Sequence, residues 1–271
     1  MNTLGKIGFI GGGNMAEALI KGLLKGAFPA GQIAVAEPNE ERRRHLSDRY
    51  AVPVSADNLV VAAEGNLLVL AVKPQLAEEV LQEMAADFTS EKLLVSILAG
   101  VGTASLEKYF TGSPRIVRAM PNTPALVGEG ATALCPGRHA TGADLKAARA
   151  LFEAVGIVQL VQERQMDAVT GLSGSGPAYV YAVIEALADG GVLEGLPRET
   201  ALALAVQTVF GAAKMVRETG EHPAVLRDKV CSPGGTTIAA MKVLEERGFA
   251  SALMEAVCRA TARSRELGGG K

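Results

Sequence analysis

Ile7-Gly8-Phe9-Ile10-Gly11-Gly12-Gly13-Asn14-Met15-Ala16-Glu17-Ala18-Leu19-Ile20 is an apolar run that passes through three glycines directly into a helical pattern. Lys6 to Ile10 reads as a buried strand, and Ala18, Leu19 and Leu23 recur as the apolar face of a helix. Between them, Gly11, Gly13 and Ala16 have the spacing of a dinucleotide fingerprint. The reason for that spacing is steric: Gly11 makes the tight turn, Gly13 lets a diphosphate approach the backbone, and Ala16 allows the helix to pack closely on the strand. The first N–H groups of the helix lack partners within it and point at the anion. A bare Gly-x-Gly-x-x-Ala also occurs in ordinary glycine turns. Its place after an N-terminal strand, with strand–helix alternation behind it, selects the pyrophosphate site.

The chain has 271 residues, 48% of them hydrophobic, and a net charge of -2. That allows one large core or two modest ones. Basic residues are scattered, Trp is absent and aromatic residues are few, which leaves no stacking platform or phosphate-tracking groove for nucleic acid. Apolar segments such as Ala201 to Val206 and Leu67 to Val72 break well short of the roughly 18 residues needed to span a bilayer. The start, Met1-Asn2-Thr3-Leu4-Gly5-Lys6, has no basic region followed by a long apolar core, so a secretory signal is not expected. Cys135, Cys231 and Cys258 are widely spaced without Cys-x-x-Cys, which suits a reducing cytoplasm and offers no metal site.

Gln32 to Ala36 reads as a second strand ending at Glu37, where a dinucleotide fold meets the adenosine ribose. A carboxylate there accepts from a free 2'-hydroxyl and favours NADH, whereas Arg42, Arg43 and Arg44 just beyond favour the 2'-phosphate of NADPH. The same arginines also fit a solvated helix face from Glu40 to Arg49. Leu67 to Val72 and Leu93 to Leu98 are continuous apolar runs, as expected of parallel strands covered on both faces. With a helix through Leu76, Val80, Leu81 and Met84 between them, the pattern predicts a doubly wound α/β sheet of Rossmann type. Ala71-Val72-Lys73-Pro74 and Met120-Pro121-Asn122-Thr123-Pro124 follow strand ends and read as cofactor loops, with Lys73 facing a ribose or phosphate and Asn122 offering donors and acceptors. Ala131 to Leu134 and Gly156 to Leu160 are expected as closing strands, with a helix from Ala143 to Ala154 between them. The first domain ends near residue 161.

Residues 162–271 read as helices only. Ser173-Gly174-Ser175-Gly176-Pro177 is expected to start a helix whose Val180, Val183, Ile184 and Leu187 form a core stripe. The next helix, Glu199 to Glu218, is apolar on most sides through Leu202, Leu204, Val206, Val209 and Phe210. So small a domain has little interior to surround it, which predicts burial against a second subunit. Val230-Cys231-Ser232-Pro233-Gly234-Gly235-Thr236-Thr237 reads as an anion cradle: a Pro-Gly-Gly turn enters a helix capped by threonines, leaving amides and hydroxyls for a carboxylate.

The glycine loop, Ala71 to Pro74, Met120 to Pro124, Ser173 to Tyr179 and Ser232 to Thr237, in that order, make the whole chain resemble the pyrroline-5-carboxylate reductases. The resemblance implies an NADPH-binding N-terminal domain, a helical dimerisation domain, homodimers that assemble into rings, and hydride delivery to a cyclic imine in proline synthesis. Coenzyme contacts are expected at Gly11, Gly12, Gly13, Asn14 and Met15 of the glycine loop and at Glu37, and the resemblance places Asn58, Ala71, Val72, Lys73, Pro74, Met120, Pro121 and Asn122 at the coenzyme as well. It places the substrate at Ser232, Gly234, Gly235, Thr236 and Thr237. A protonated imine is already electrophilic, so the enzyme chiefly aligns the reactants. The Gly234 and Gly235 amides with Ser232 are expected to hold the carboxylate, and the Thr237 hydroxyl the ring nitrogen. Two alternatives compete: a hydroxyacid dehydrogenase of the same plan, with Lys214 as acid, and a non-catalytic dinucleotide sensor, which would have no use for the Ser232 to Thr237 cradle.

Overall fold

In the computed structural model, which describes residues 4–269, the apolar runs up to Leu160 become one eight-stranded sheet. Residues 1–3, part of the stretch read for a signal, and 270–271 lie outside the described residues. The order along the chain is β1 (Ile7–Ile10), α1 (Asn14–Lys25), β2 (Ile33–Ala36), α2 (Glu40–Tyr50), β3 (Val54–Ser55), α3 (Asn58–Glu64), β4 (Leu67–Leu70), α4 (Ala77–Met84) and β5 (Leu93–Ser96). Then come α5 (Thr103–Glu107), β6 (Arg115–Met120), β7 (Gly130–Pro136), α6 (Gly142–Glu153) and β8 (Gly156–Leu160).

Across the sheet the strands run β3-β2-β1-β4-β5-β6-β7-β8. The first six have the reversing order of a doubly wound dinucleotide fold, and all are parallel. One junction departs from the parallel expectation: β7 is antiparallel to β6. Only the short 3-10 turn Thr123–Val127 joins them, and a parallel return needs a crossover of a dozen residues or more. β8 pairs parallel with β7 after α6 supplies such a crossover. The two-residue β3 carried no readable pattern in the sequence.

The apolar runs are continuous because both faces are covered. Phe9, Val35, Val69, Val95 and Val117 face Leu19, Leu23, Leu151 and Phe152. Ile10, Leu68, Leu70, Leu94 and Ile116 face the layer containing Val61, Leu81 and Phe110. Helix starts are set by side chains: Asn39 accepts from the Arg42 amide at 2.9 Å, and Thr141 with Asp144 forms a reciprocal box at the start of α6.

After β8 come α7 (Met166–Val169), a π-type turn at Thr170–Gly174, α8 (Gly176–Leu193), α9 (Arg198–Thr219), α10 (Pro223–Val230), α11 (Thr236–Glu246) and α12 (Phe249–Gly269). Two compact units result: 4–175 with 259–269, and Gly176–Cys258. The division by contacts therefore falls after the sequence boundary near residue 161. Met166 is fully buried against Ala133 and Cys135, which keeps the segment after β8 with the sheet.

The structure refines the reading of the helical region. The helix does start at Gly176, as the Ser173 to Pro177 stretch predicts, but what leads into it is a π-type turn, in which the Ser175 amide donates to Thr170 O at 2.8 Å. The expected core stripe is not covered within the chain, since Val180 and Leu187 are exposed and Ile184 is half-buried. Burial on α8 falls instead on Ala188, which packs with Ala201 and Ala205 of α9. Small residues let these two helices approach closely, with Ile184 and Val192 packed against the alanines while Val180 and Leu187 stay exposed.

Candidate active site

The parallel strands place the turns after β1, β2, β4, β5 and β6 on one sheet edge, where such folds bind ligands. At the first of them, Gly11 has φ +101°, and a Cβ there would lie 2.6 Å from Ala71 O. Gly12, which the fingerprint spacing leaves free, is crowded too, though less rigidly, because a Cβ would come within 2.8 Å of a Leu46 methyl. Gly13 has open space around it out to 4 Å. It is also the N-cap of α1 and has no side-chain partner capping the helix, while Asn14 and Met15 form the first turn. A diphosphate therefore fits: no Cβ blocks the approach, and the helix presents uncapped amides.

Side chains from α1, α2 and the β2 turn hold this loop. Glu37 accepts from Gly12 N at 3.0 Å and from Asn39 N at 2.9 Å. Arg42 donates Nε to Gly12 O at 2.6 Å and Nη2 to Glu17 at 2.6 Å. Glu17 also meets His45 at 3.0 Å and the Tyr50 hydroxyl at 2.7 Å. Burial by itself would raise the Glu17 pKa, but the bonds from His45, Tyr50 and Arg42 outweigh it and hold the value down at about 2.

The other candidate coenzyme residues reach the same edge with different degrees of freedom. Ala71 and Val72 are half-buried, and Lys73 and Pro74 are exposed where the chain leaves β4. Asn58 opens α3 and donates to Glu83 at 2.9 Å. Met120 and Asn122 are half-buried around the buried Pro121. Asn122 is expected to offer its amide to a ligand, yet its Oδ1 accepts from Ala131 N at 2.8 Å and its Nδ2 donates to Ser173 O at 3.0 Å. The side chain braces the loop from within.

Two features of this edge escape sequence reading. The turn after β5, Ile97 to Gly102, lies between the β4 and β6 loops and contains Gly100 at φ +76°. Its Ala99-Gly100-Val101-Gly102 run was the available signal. The second is Glu163, which pairs with the buried Arg118, accepts from Thr103 Oγ1 at 3.0 Å and meets the Cys135 thiol at 3.5 Å. Burial first, and Glu163 second, push that thiol up to about 12, so it stays protonated. No local spacing links residues so far apart in the chain.

In the helical unit, the Ser232 to Thr237 turn borders a groove of about 500 Å³ whose lining includes Arg227, Cys231, Gly234, Gly235, Ile238 and Lys242. Gly234 takes φ +68°. The threonines do not cap α11: the N-cap is Gly235, with no side-chain bond, and Thr236 and Thr237 are the first two helical residues. The Gly235 amide, expected to face a carboxylate, closes the turn by donating to Ser232 O at 3.0 Å. A Cβ on Gly235 would lie 2.2 Å from the Ser232 hydroxyl, so glycine is what lets that hydroxyl fold over the turn. Neither Thr236 nor Thr237 lines the groove; Thr236 is exposed and Thr237 half-buried. Free anion donors here are the first-turn amides of α11, because its earliest helical bond is Ala239 N to Gly235 O.

Over 264 residues the chain is 50% identical to the pyrroline-5-carboxylate reductase of Methanosarcina acetivorans, covering 97% of this chain and 98% of that one. It belongs to the pyrroline-5-carboxylate reductase family. Residues 163–267 match the family described as pyrroline-5-carboxylate reductase dimerisation, and residues 6–100 match NADP oxidoreductase, coenzyme F420-dependent. The structure of a pyrroline-5-carboxylate reductase from Coxiella burnetii superposes with a TM-score of 0.93 at 38% identity, covering 97% of this chain and 98% of that one. The Plasmodium falciparum pyrroline carboxylate reductase, solved with NADP bound, gives 0.87 at 34% identity over 97% and 98%. Lys214, the acid a hydroxyacid dehydrogenase would require, forms a surface pair with Glu218 at 3.6 Å, where it is half in solvent. No helix among the described residues is long and apolar enough to cross a membrane.

Proposed function

We propose that this chain reduces 1-pyrroline-5-carboxylate to L-proline with NADPH as hydride donor, in the cytoplasm. The observation that carries the reading is family membership along nearly the whole chain, with the open glycine loop and the Ser232 to Thr237 turn both present. Residues 1–161 hold the coenzyme, and 162–271 supply the substrate turn and the subunit contacts. The assembly is a homodimer, extended into a ring of dimers. The coenzyme supplies a hydride for the electrophilic imine carbon.

This chain's residues bind and orient. The Gly11 to Met15 loop takes the diphosphate, with Ala71 to Pro74, Asn58 and Met120 to Asn122 around the rest of the coenzyme. Arginine beside the β2 turn favours NADPH over NADH, and Glu37 narrows the margin. The first-turn amides of α11, with the Ser232 and Thr236 hydroxyls, hold the substrate carboxylate. The Thr237 hydroxyl stabilises the ring nitrogen as its charge changes; the Gly235 N-cap supports this, since it leaves that hydroxyl with no capping bond to make.

Thr237→Val tests the assignment by keeping shape while removing one hydrogen bond. Losing a bond to a charged centre is expected to lower kcat/KM by about ten- to hundredfold, with NADPH affinity and melting temperature unchanged. A lowered melting temperature with normal kinetics would refute the role.

A further inference from the structure

Arg42, Arg43 and Arg44 look equivalent in the sequence, and the structure gives each a different environment. Arg42 turns back onto the glycine loop, bonded to Gly12 O and paired with Glu17. Its charge is matched by a carboxylate that also receives His45 and Tyr50. Arg44 pairs with Glu40 one turn away, with both side chains largely in solvent. Arg43 is held without being neutralised. Its Nη1 donates to the carbonyls of Glu37 and Pro38 at 2.7 and 2.8 Å. Among the described residues no carboxylate pairs with it, and its Nε and Nη2 have no hydrogen-bond partner.

A guanidinium fixed on the turn after β2 stands where a doubly wound fold places the adenosine ribose. Its two remaining donors form a planar edge of the kind that binds a phosphate bidentately. Glu37 occupies the same turn, with its carboxylate held on Gly12 N and Asn39 N; it accepts from a free 2'-hydroxyl and repels a phosphate.

We infer that Arg43, alone of the three, reads the 2'-phosphate of the coenzyme, and that Arg42 is a positioning residue that shapes the glycine loop for either coenzyme. Arg44 takes no part. The inference rests on the NADP(H) reading proposed above and adds which side chain discriminates.

Calorimetric titration of NADP+ and NAD+ into the wild type and into Arg42→Met, Arg43→Met and Arg44→Met tests this without the imine. Arg43→Met is expected to weaken NADP+ binding by about ten- to hundredfold, the loss of charge-assisted hydrogen bonds, and to leave NAD+ binding unchanged. Arg42→Met should weaken both coenzymes by the same factor, and Arg44→Met neither. Arg43→Lys keeps the charge but loses the planar edge, so it should retain NAD+ and bind NADP+ several-fold less tightly, even if Arg43→Met folds poorly. An unchanged NADP+ to NAD+ ratio in Arg43→Lys, or an equal change of that ratio in Arg42→Met, overturns the inference. A wild-type chain that binds NADP+ but turns over no pyrroline-5-carboxylate defeats the proposed reaction and leaves the Arg43 assignment standing.

Discussion

The sheet-bearing unit and the helical unit satisfy the same requirement, covering apolar surface, in opposite ways. In the sheet unit, Phe9, Leu19, Ile33, Leu46, Val69 and Phe152 have no exposed surface, and the helices on each face cover the strands within one chain. In the helical unit the buried apolar residues are Ala188, Ala201 and Ala205, while Leu204 is 55% and Phe210 51% exposed on α9. A soluble chain rarely leaves so many large apolar side chains in one region uncovered. Residues 163–267 match a family described as a dimerisation region, and this uncovered apolar surface lies within them, as expected of a face that meets another copy. One unit covers its apolar surface internally, and the other leaves much of it exposed.

The largest expected effect is at α9. Leu204→Asp should abolish assembly, since an unpaired carboxylate buried between subunits costs several kcal/mol. Light scattering reads the loss, and an unchanged oligomer would mean that the helical unit is covered in some other way. The reverse experiment is Phe152→Ala in the sheet unit, which leaves a cavity in a closed core. It should lower unfolding free energy by about 3–5 kcal/mol, read by urea titration, and leave the assembly state as it was.

A smaller effect concerns the Glu17 cluster behind the glycine loop. Its carboxyl falls from an ordinary 4.5 to about 2 in the folded chain, so its stabilising contribution is present above pH 4.5 and is lost as pH falls toward 2. Glu17→Gln should therefore cost on the order of 3 kcal/mol at pH 7 and progressively less below pH 4.5. Urea titrations of both proteins at pH 7 and pH 3 check the sign; a difference that stays constant with pH would show that the cluster acts by packing alone.

Most of the sheet was legible because parallel strands buried on both faces leave continuous apolar runs, and the glycine loop because its steric needs repeat at fixed short spacing. The Ser232 to Thr237 turn was legible as a place and less so in its details. Its composition announces an anion cradle, but which amide closes the turn and which residue caps α11 depend on backbone geometry, and there Gly235 took both roles. Asn122 shows the same limit. Its amide chemistry is evident from the residue type, whereas its use on Ala131 and Ser173 requires knowing what the fold brings beside it.

By itself the sequence determined the class of sheet, the glycine loop, the family and the expectation that α9 needs a partner, because each of these is written in local periodicity or in short motifs. The tertiary structure alone decided the antiparallel turn of β7, the Glu163 contacts with Arg118, Thr103 and Cys135, and the different partners of three adjacent arginines. Those features depend on groups far apart in the chain, or on which way neighbouring side chains leave a helix. Local composition does not encode them, since the partners of a charge are chosen by packing.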